Sequence, residues 1–257
     1  MKKINYFLFF ILLAANIVAQ NKPQMNVLTK DGKTTPFYLE NITDITFTTT
    51  LSTIYSEDFT INPNYTVNPD VASNDIVEWD ASGFYRVKIN EDGSPNGKQK
   101  FAYSPTFSEV NNMSFSLTVD LRNSLQSWGH EASFLLCKTD NSPTPQIGGT
   151  GKQPALQIWR DDVMHKWYVQ DTLSHQWMSP IDDSNGHWYR FAIDYDAPSK
   201  KVNITITDLE AGTSVLNVTN QDCTFGNFNR VVLGEQTAFW DGTICETDYD
   251  NIIISPK

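Results

Sequence analysis

The chain has 257 residues, with 30 acidic against 19 basic side chains and a formal net charge of −11 at pH 7. A surface of that sign repels phosphate backbones, which makes nucleic acid a poor partner, and it suits hard cations that prefer oxygen ligands. Three cysteines, Cys137, Cys223 and Cys245, are too few for a disulfide framework.

Residues 1–19 have the layout of a secretory signal peptide. Lys2 and Lys3 precede an apolar run from Phe7 to Ala15, and small residues follow up to Ala19. The run is too short to serve comfortably as a permanent bilayer anchor. Cleavage is expected near Ala19–Gln20, and no cysteine lies there to carry a lipid. Nothing later is apolar enough to cross a membrane, so a secreted, periplasmic or cell-surface location is expected. Residues 20–53 read as a β-hairpin turning at Asp31-Gly32, a strong hairpin signal, followed by the polar linker "TTTLST".

From residue 54 to 257 the pattern is strand after strand. "FYRVKIN" (84–90), "SFSLTVDL" (114–121), "ALQIWR" (155–160), "KWYVQD" (166–171) and "KVNITITD" (201–208) alternate or run apolar at strand length. Gly, Pro, Asn and Asp clusters separate them, and no segment holds a 3.6-residue period over three turns. This spacing predicts an all-β sandwich or barrel. In an oxidising compartment Cys223 and Cys245 are the most plausible pair, while Cys137 in "ASFLLCKT" reads as a buried, inert thiol. The alternative is that all three are free core thiols.

In "HWYRFAIDYD" (187–196), Tyr189, Phe191, Ile193 and Tyr195 share one face, and Trp188, Arg190, Ala192 and Asp194 share the other. Val202, Ile204 and Ile206 repeat the alternation after the hairpin loop "DAPSKK". An aromatic pair, alternating apolar residues, Tyr-Asp and then a hairpin resembles the signature strand pair of the laminin-G and concanavalin A-like lectin/glucanase superfamily. "YSEDF" (55–59) and "DYDNIIIS" (248–255) resemble the first and last strands of such domains. The resemblance covers residues 54–257. It implies two curved antiparallel sheets in jelly-roll order, with a glycan site on the concave face.

"ALQIWRDDVMHKWYVQD" (155–171) reads as a hairpin turning through Asp161 and Asp162. Leu156, Ile158, Trp167 and Val169 then share a core face. Trp159, Lys166 and Tyr168 share the other, with Gln157 and Gln170 beside them and Arg160 and His165 at the turn. Flat rings with polar neighbours are what a saccharide site needs, so Trp159, Tyr168, Lys166, Arg160 and Gln157 form the candidate ligand set. Alternatively, Trp159 and Tyr168 pack beneath a neighbouring loop. Trp128, Trp177 and Trp240 lie in or near loops, with no face assigned.

In "CETDYDN" (245–251), Glu246, Asp248 and Asp250 stand two residues apart, on one face of a regular strand. This superficially resembles the catalytic strand of retaining glucanases, in which paired carboxylates lie about 5–5.5 Å apart. Asp in place of the third Glu, the intervening Thr247 and Tyr249, and the C-terminal position all argue against catalysis by Glu246 and Asp248. The resemblance also implies a structural calcium ion where first and last strands meet, held by Glu57 or Asp58 together with Asp250. With Phe59 facing the core, Asp58 points outward. A solvated acidic strand end is the alternative. The sequence therefore reads as a secreted, non-catalytic glycan-binding protein. A glycoside hydrolase or polysaccharide lyase on the same fold, or an adhesive surface protein, is the alternative.

Overall fold

The structure is a computed structural model describing residues 24–28, 34–38, 52–68, 71, 73–90, 100–126, 132–138, 154–161, 164–180, 186–235 and 244–257. It divides into two compact units, residues 1–50 and 51–257. In the first, β1 (Gln24–Leu28) and β2 (Thr34–Tyr38) pair antiparallel, with Gln24 opposite Tyr38 and Leu28 opposite Thr34. The expected leader, the Asp31-Gly32 turn and most of the linker lie outside the described residues.

The strands of the second unit are β3 (Tyr55–Glu57), β4 (Thr66–Val67), β5 (Ile76–Asp80), β6 (Phe84–Asn90), β7 (Lys100–Tyr103), β8 (Phe115–Gln126), β9 (Ala132–Cys137) and β10 (Leu156–Arg160). They continue with β11 (Trp167–Asp171), β12 (Gln176–Met178), β13 (Trp188–Asp196), β14 (Lys201–Asp208), β15 (Thr213–Asp222), β16 (Arg230–Glu235) and β17 (Ile244–Pro256). Sheet I has seven strands in the order β12-β11-β10-β9-β16-β7-β4. Sheet II has eight, β15-β14-β13-β8-β17-β6-β5 with β3 also on β17. All pairings are antiparallel, and sequence neighbours often lie in different sheets, as a jelly-roll sandwich requires.

Alternation decides which side chains fill the space between the sheets. Tyr189, Phe191, Ile193 and Tyr195 of β13 are buried, as are Val202, Ile204 and Ile206 of β14 and Leu117, Val119 and Leu121 of β8. Sheet I answers with Phe134, Leu136, Leu156, Ile158, Trp167, Val169, Val231 and Leu233. A ring such as Phe191, fully enclosed, contributes about 2–3 kcal/mol through burial. The "DAPSKK" loop joins β13 to β14 as expected, with Lys200 at φ 53° closing the turn.

The expected Cys223–Cys245 disulfide does not form; all three cysteines are free and buried. Strand register supplies the reason. Cys223 follows β15 at the end of sheet II where Lys201, Asp196 and Phe115 lie, and its N–H donates to the Lys200 carbonyl. Cys245 stands opposite Gln126, at the other end of β8. A strand length on the order of 30 Å separates them, far beyond disulfide reach.

Candidate functional site

The β10–β11 hairpin has the register read from its sequence. Trp159 stands opposite Tyr168 and Gln157 opposite Gln170, on the outer face of sheet I, while Leu156, Ile158, Trp167 and Val169 point inward. The rings of Trp159 and Tyr168 stack, with centroids 4.5 Å apart and planes inclined by 12°. Tyr168 Oη donates to Met164 Sδ at 3.2 Å, which fixes the ring from its far end. The Trp159 indole N–H is buried and has no acceptor among the described residues. Gln176 of β12 extends the amide row, its Nε2 donating to Gln170 Oε1 at 3.0 Å. Lys166 sits half-buried at the hairpin turn, its carbonyl accepting from Asp161 N–H at 2.9 Å.

Arg160 does not join this platform. Alternation places it opposite Trp167 on the inner face, where it is 1% exposed and reaches His165 Nδ1 at 3.1 Å. It is enclosed at the end of the core. Trp177, opposite Val169, also faces inward and packs on the core, whereas Trp128 and Trp240 lie outside the described residues.

The other half of the outer face of sheet I is apolar and closed. Phe101, Tyr103, Leu135, Cys137 and Val232 form a separate buried cluster there. Burial pushes the Cys137 thiol up to about 12, so it stays protonated and inert. Arg230 borders this cluster, opposite Cys137, with its guanidinium 4.9 Å from the Tyr103 ring centroid. Its signal was present in "RVVLG", where Val231 and Leu233 are core and Arg230 shares the face of Val232.

On the outer face of sheet II, Glu246 and Asp248 do share a side, but each is held in ion pairs. Asp248, with a fully buried side chain, accepts from Arg86 and Arg122. Glu246 pairs with Lys88 at 3.0 Å and lies 3.5 Å from Arg86. Burial alone would raise the Glu246 pKa; the hydrogen bonds and positive charges around it outweigh that and leave it lowered. Arg190 grips Asp120 with two hydrogen bonds of 2.8 and 2.7 Å. A cleft of about 360 Å³ opens on this face beside Trp188, Arg190, Glu210 and Asp250.

Among the described residues, Glu57, Asp58 and Asp250 are not a group whose ligand atoms all lie within 4.8 Å of one another. Glu57 Oε1 accepts from the Phe59 N–H, and Asp58 Oδ1 accepts from both Thr60 N–H and its hydroxyl. Asp250 accepts from Asn251 N–H and Nδ2. Its pKa is raised by burial and by the like charges of Asp120 and Asp58. Among the described residues the triad that does converge is His187, Asp208 and Glu210, with ligand atoms within 4.8 Å of one another. Those atoms already close a turn. Asp208 Oδ1 accepts from the N–H groups of Glu210 and Ala211, Asp208 Oδ2 meets His187 Nδ1 at 2.9 Å, and Glu210 Oε2 accepts from Trp188 N–H.

No protein-family model matches the chain, and no curated protein sequence does. Solved structures do. The legume lectin-like domain from Entamoeba histolytica is 15% identical, with a TM-score of 0.51 over 81% of this chain and 100% of that one. Lectin UEA-II complexed with galactose is 12% identical, with a TM-score of 0.51 over 79% and 99%. An endo-β-1,4-glucuronan lyase from the fungus Trichoderma reesei is 15% identical, with a TM-score of 0.46 over 80% and 96%. Strand order, paired sheets and the two matches at a TM-score of 0.51 together identify the fold of residues 51–257 as the concanavalin A-like jelly roll.

Proposed function

We propose that the protein binds carbohydrate without transforming it, through the outer face of sheet I. Half-buried Trp159 serves as the stacking ring, backed by the buried Tyr168, with half-buried Gln170 and Lys166 as its polar surround and the buried Gln157 beneath them. The observation that carries this reading is the register-matched, stacked Trp159–Tyr168 pair with an amide row one step along the same face. Sugar rings present flat C–H faces and hydroxyls, and such a pairing of aromatic surface with amides answers both. Two structures sharing the fold are a lectin and a lectin-like domain, and the lectin's structure holds galactose. The lysine-led apolar leader at residues 1–19 supports release from the cytoplasm, where extracellular glycans would be met. Catalysis by Glu246 and Asp248 is disfavoured because ion pairs occupy both.

Glycan-array and affinity-gel binding test the reading. Wild-type protein is expected to retain a polysaccharide, and Trp159→Ala to lose at least about 1 kcal/mol of that affinity while melting as a folded protein. No ligand on the array, or undiminished binding by Trp159→Ala, overturns it.

A further inference from the structure

The cleft on the outer face of sheet II is built from groups that the platform on sheet I does not use. Its floor is a row across three strands: Arg190 of β13, Asp120 of β8 and Asp250 of β17 stand side by side in register. Beyond Asp250 the register of β17 against β8 slips before Ile253, a β-bulge in which Asn251 takes a φ of 50°. The Asn251 amide lies back on the row, where Nδ2 donates to Asp120 at 2.9 Å and to Asp250 at 3.1 Å. One wall is Trp188, whose ring is held by Arg122 at 4.7 Å and meets Phe84 in a T-shaped contact at 6.3 Å. The β14–β15 turn supplies the other wall, through exposed Leu209 and through Glu210. Glu210 Oε2 accepts from Trp188 N–H, which leaves Oε1 to face a ligand.

These groups decide what the cleft can take. Arg190 is committed to Asp120 through two hydrogen bonds, so the charges of Asp250 and Glu210 are left over and repel anions. A wholly apolar ligand would strip water from those carboxylates and give nothing back. Hydroxyls suit them. A carboxylate has about four lone-pair sites, of which Asn251 takes two on Asp250, and an O–H donated to an ionised carboxylate makes a short, strong bond. Such bonds would also offset the burial and like charge that raise the Asp250 pKa. Half-buried Trp188 and Leu209 supply apolar surface for the C–H faces of a sugar. The cleft volume of about 360 Å³ falls within the ordinary range of ligand pockets, about 300–1,000 Å³.

We infer that this cleft is a second, independent site for a neutral, hydroxyl-rich saccharide, so that one protein molecule bridges two glycan strands. The cleft stands on its own residues; the bridging rests on the platform reading as well. The two sites are back to back. Trp167, next to Tyr168 in β11, packs through the core on Tyr189, next to Trp188 in β13, with ring centroids 6.2 Å apart. Two sheets at their usual spacing of about 10 Å stand between Trp159 and the cleft, and the two sites face in opposite directions. One short stretch of glycan cannot engage both, so filling both sites holds two polysaccharide segments on one molecule.

The test uses the full chain on affinity gels of dextran, laminarin, galactomannan and xylan, with the viscosity of each polymer solution as the readout of cross-linking. Wild-type protein is expected to be retained by at least one of them and to thicken it. Asp250→Ala and Trp159→Ala should each lose the thickening and weaken retention about tenfold or more, and the double variant should lose retention altogether. Retention without thickening by the wild type, undiminished thickening by Asp250→Ala, or complete loss of retention in Trp159→Ala alone overturns the second site and leaves the platform standing. Undiminished retention by Trp159→Ala, or its complete loss in Asp250→Ala alone, overturns the platform and the bridging with it, and leaves the cleft as the glycan site. No retention on any of the four polymers, or retention on chitosan alone that about 0.5 M salt abolishes, overturns both. Should Asp250→Ala fail to fold, Leu209→Arg, which fills the cleft from its exposed rim, gives the same readouts.

Discussion

Asp248 Oδ2 accepts two hydrogen bonds from Arg122, 2.6 Å from Nη2 and 3.0 Å from Nε, while Arg86 Nε holds Oδ1 at 2.8 Å. The three residues come from β17, β8 and β6 and lie side by side on the outer face of sheet II. Arg122 also lies 4.7 Å from the Trp188 ring centroid and 5.5 Å from that of Phe84, so the clamp continues into the aromatic side chains around it. A carboxylate so enclosed ties three strands together and has no oxygen free for chemistry.

Asp248→Ala is therefore expected to destabilise the fold by about 2–3 kcal/mol, less than a wholly buried pair because both arginines keep contact with water. Glycan binding should survive in whatever fraction remains folded. Urea denaturation and affinity-gel retention on the same variant measure both. Full stability combined with lost action on a polysaccharide would restore the catalytic reading of this strand.

Gly234 sits mid-strand in β16 at φ 137°, where an added Cβ would lie 2.5 Å from the Lys100 carbonyl oxygen and 2.7 Å from Phe101 Cα. Both obstacles are backbone, so neither can swing aside. Gly234→Ala should cost about 2–4 kcal/mol from strain and overpacking together. Gly212, at φ 64° with nothing within 4 Å of its would-be Cβ, is the control, and Gly212→Ala should cost about 1 kcal/mol. Equal denaturation midpoints for the two variants would refute the close approach of β7 to β16.

Much of this architecture was legible because a strand has period two. The inward sets of β10, β11, β13 and β14, and the facing of Trp159 on Tyr168, follow from counting alternate residues. What counting cannot supply is the partner. Asp248 meets arginines 126 and 162 residues away. Glu57 and Asp58 accept from backbone N–H groups beside them in the chain. Arg160 stands next to the turn in the chain, yet the alternation that faces Trp159 outward sends Arg160 inward. The disulfide expectation failed for a related reason: Cys223 and Cys245 are 22 residues apart in the chain yet stand at opposite ends of a sheet.

The thiols offer a direct check on that separation. Burial pushes Cys137 up to about 12 and raises Cys223 further still, the latter also through the negative charge of Asp171. Native protein should show essentially no reaction with an aromatic disulfide reagent at pH 8, and denatured protein should release three thiol equivalents without reductant. Recovery of a single equivalent would mean that a disulfide had formed.

Two aspartates of sheet II should respond to acid in opposite senses. Burial opposes the charge on Asp208, but the N–H groups of Ala211 and Glu210 and the His187 ring overcome it, and its pKa falls below the ordinary 3.8. A lowered folded-state pKa means stability that is present above the unfolded value and lost as pH drops through the folded one. Asp208→Asn should thus lower the melting temperature near neutrality, with the gap closing as pH falls below the ordinary 3.8 and through the lowered folded-state pKa. Asp250 is shifted the other way, raised by burial and by Asp120 and Asp58, with Arg190 only partly offsetting them. For a raised carboxyl, stability is fully present below the unfolded pKa and declines as pH rises through the folded one. Asp250→Asn should therefore melt higher than wild type at pH 7 and no higher once pH falls below the ordinary 3.8. Melting curves of both variants across pH 3–8, with and without chelator, decide the matter. A lower melting temperature for Asp250→Asn at pH 7, matched by a loss on chelation in the wild type alone, would instead place a bound cation at the junction of the first and last strands.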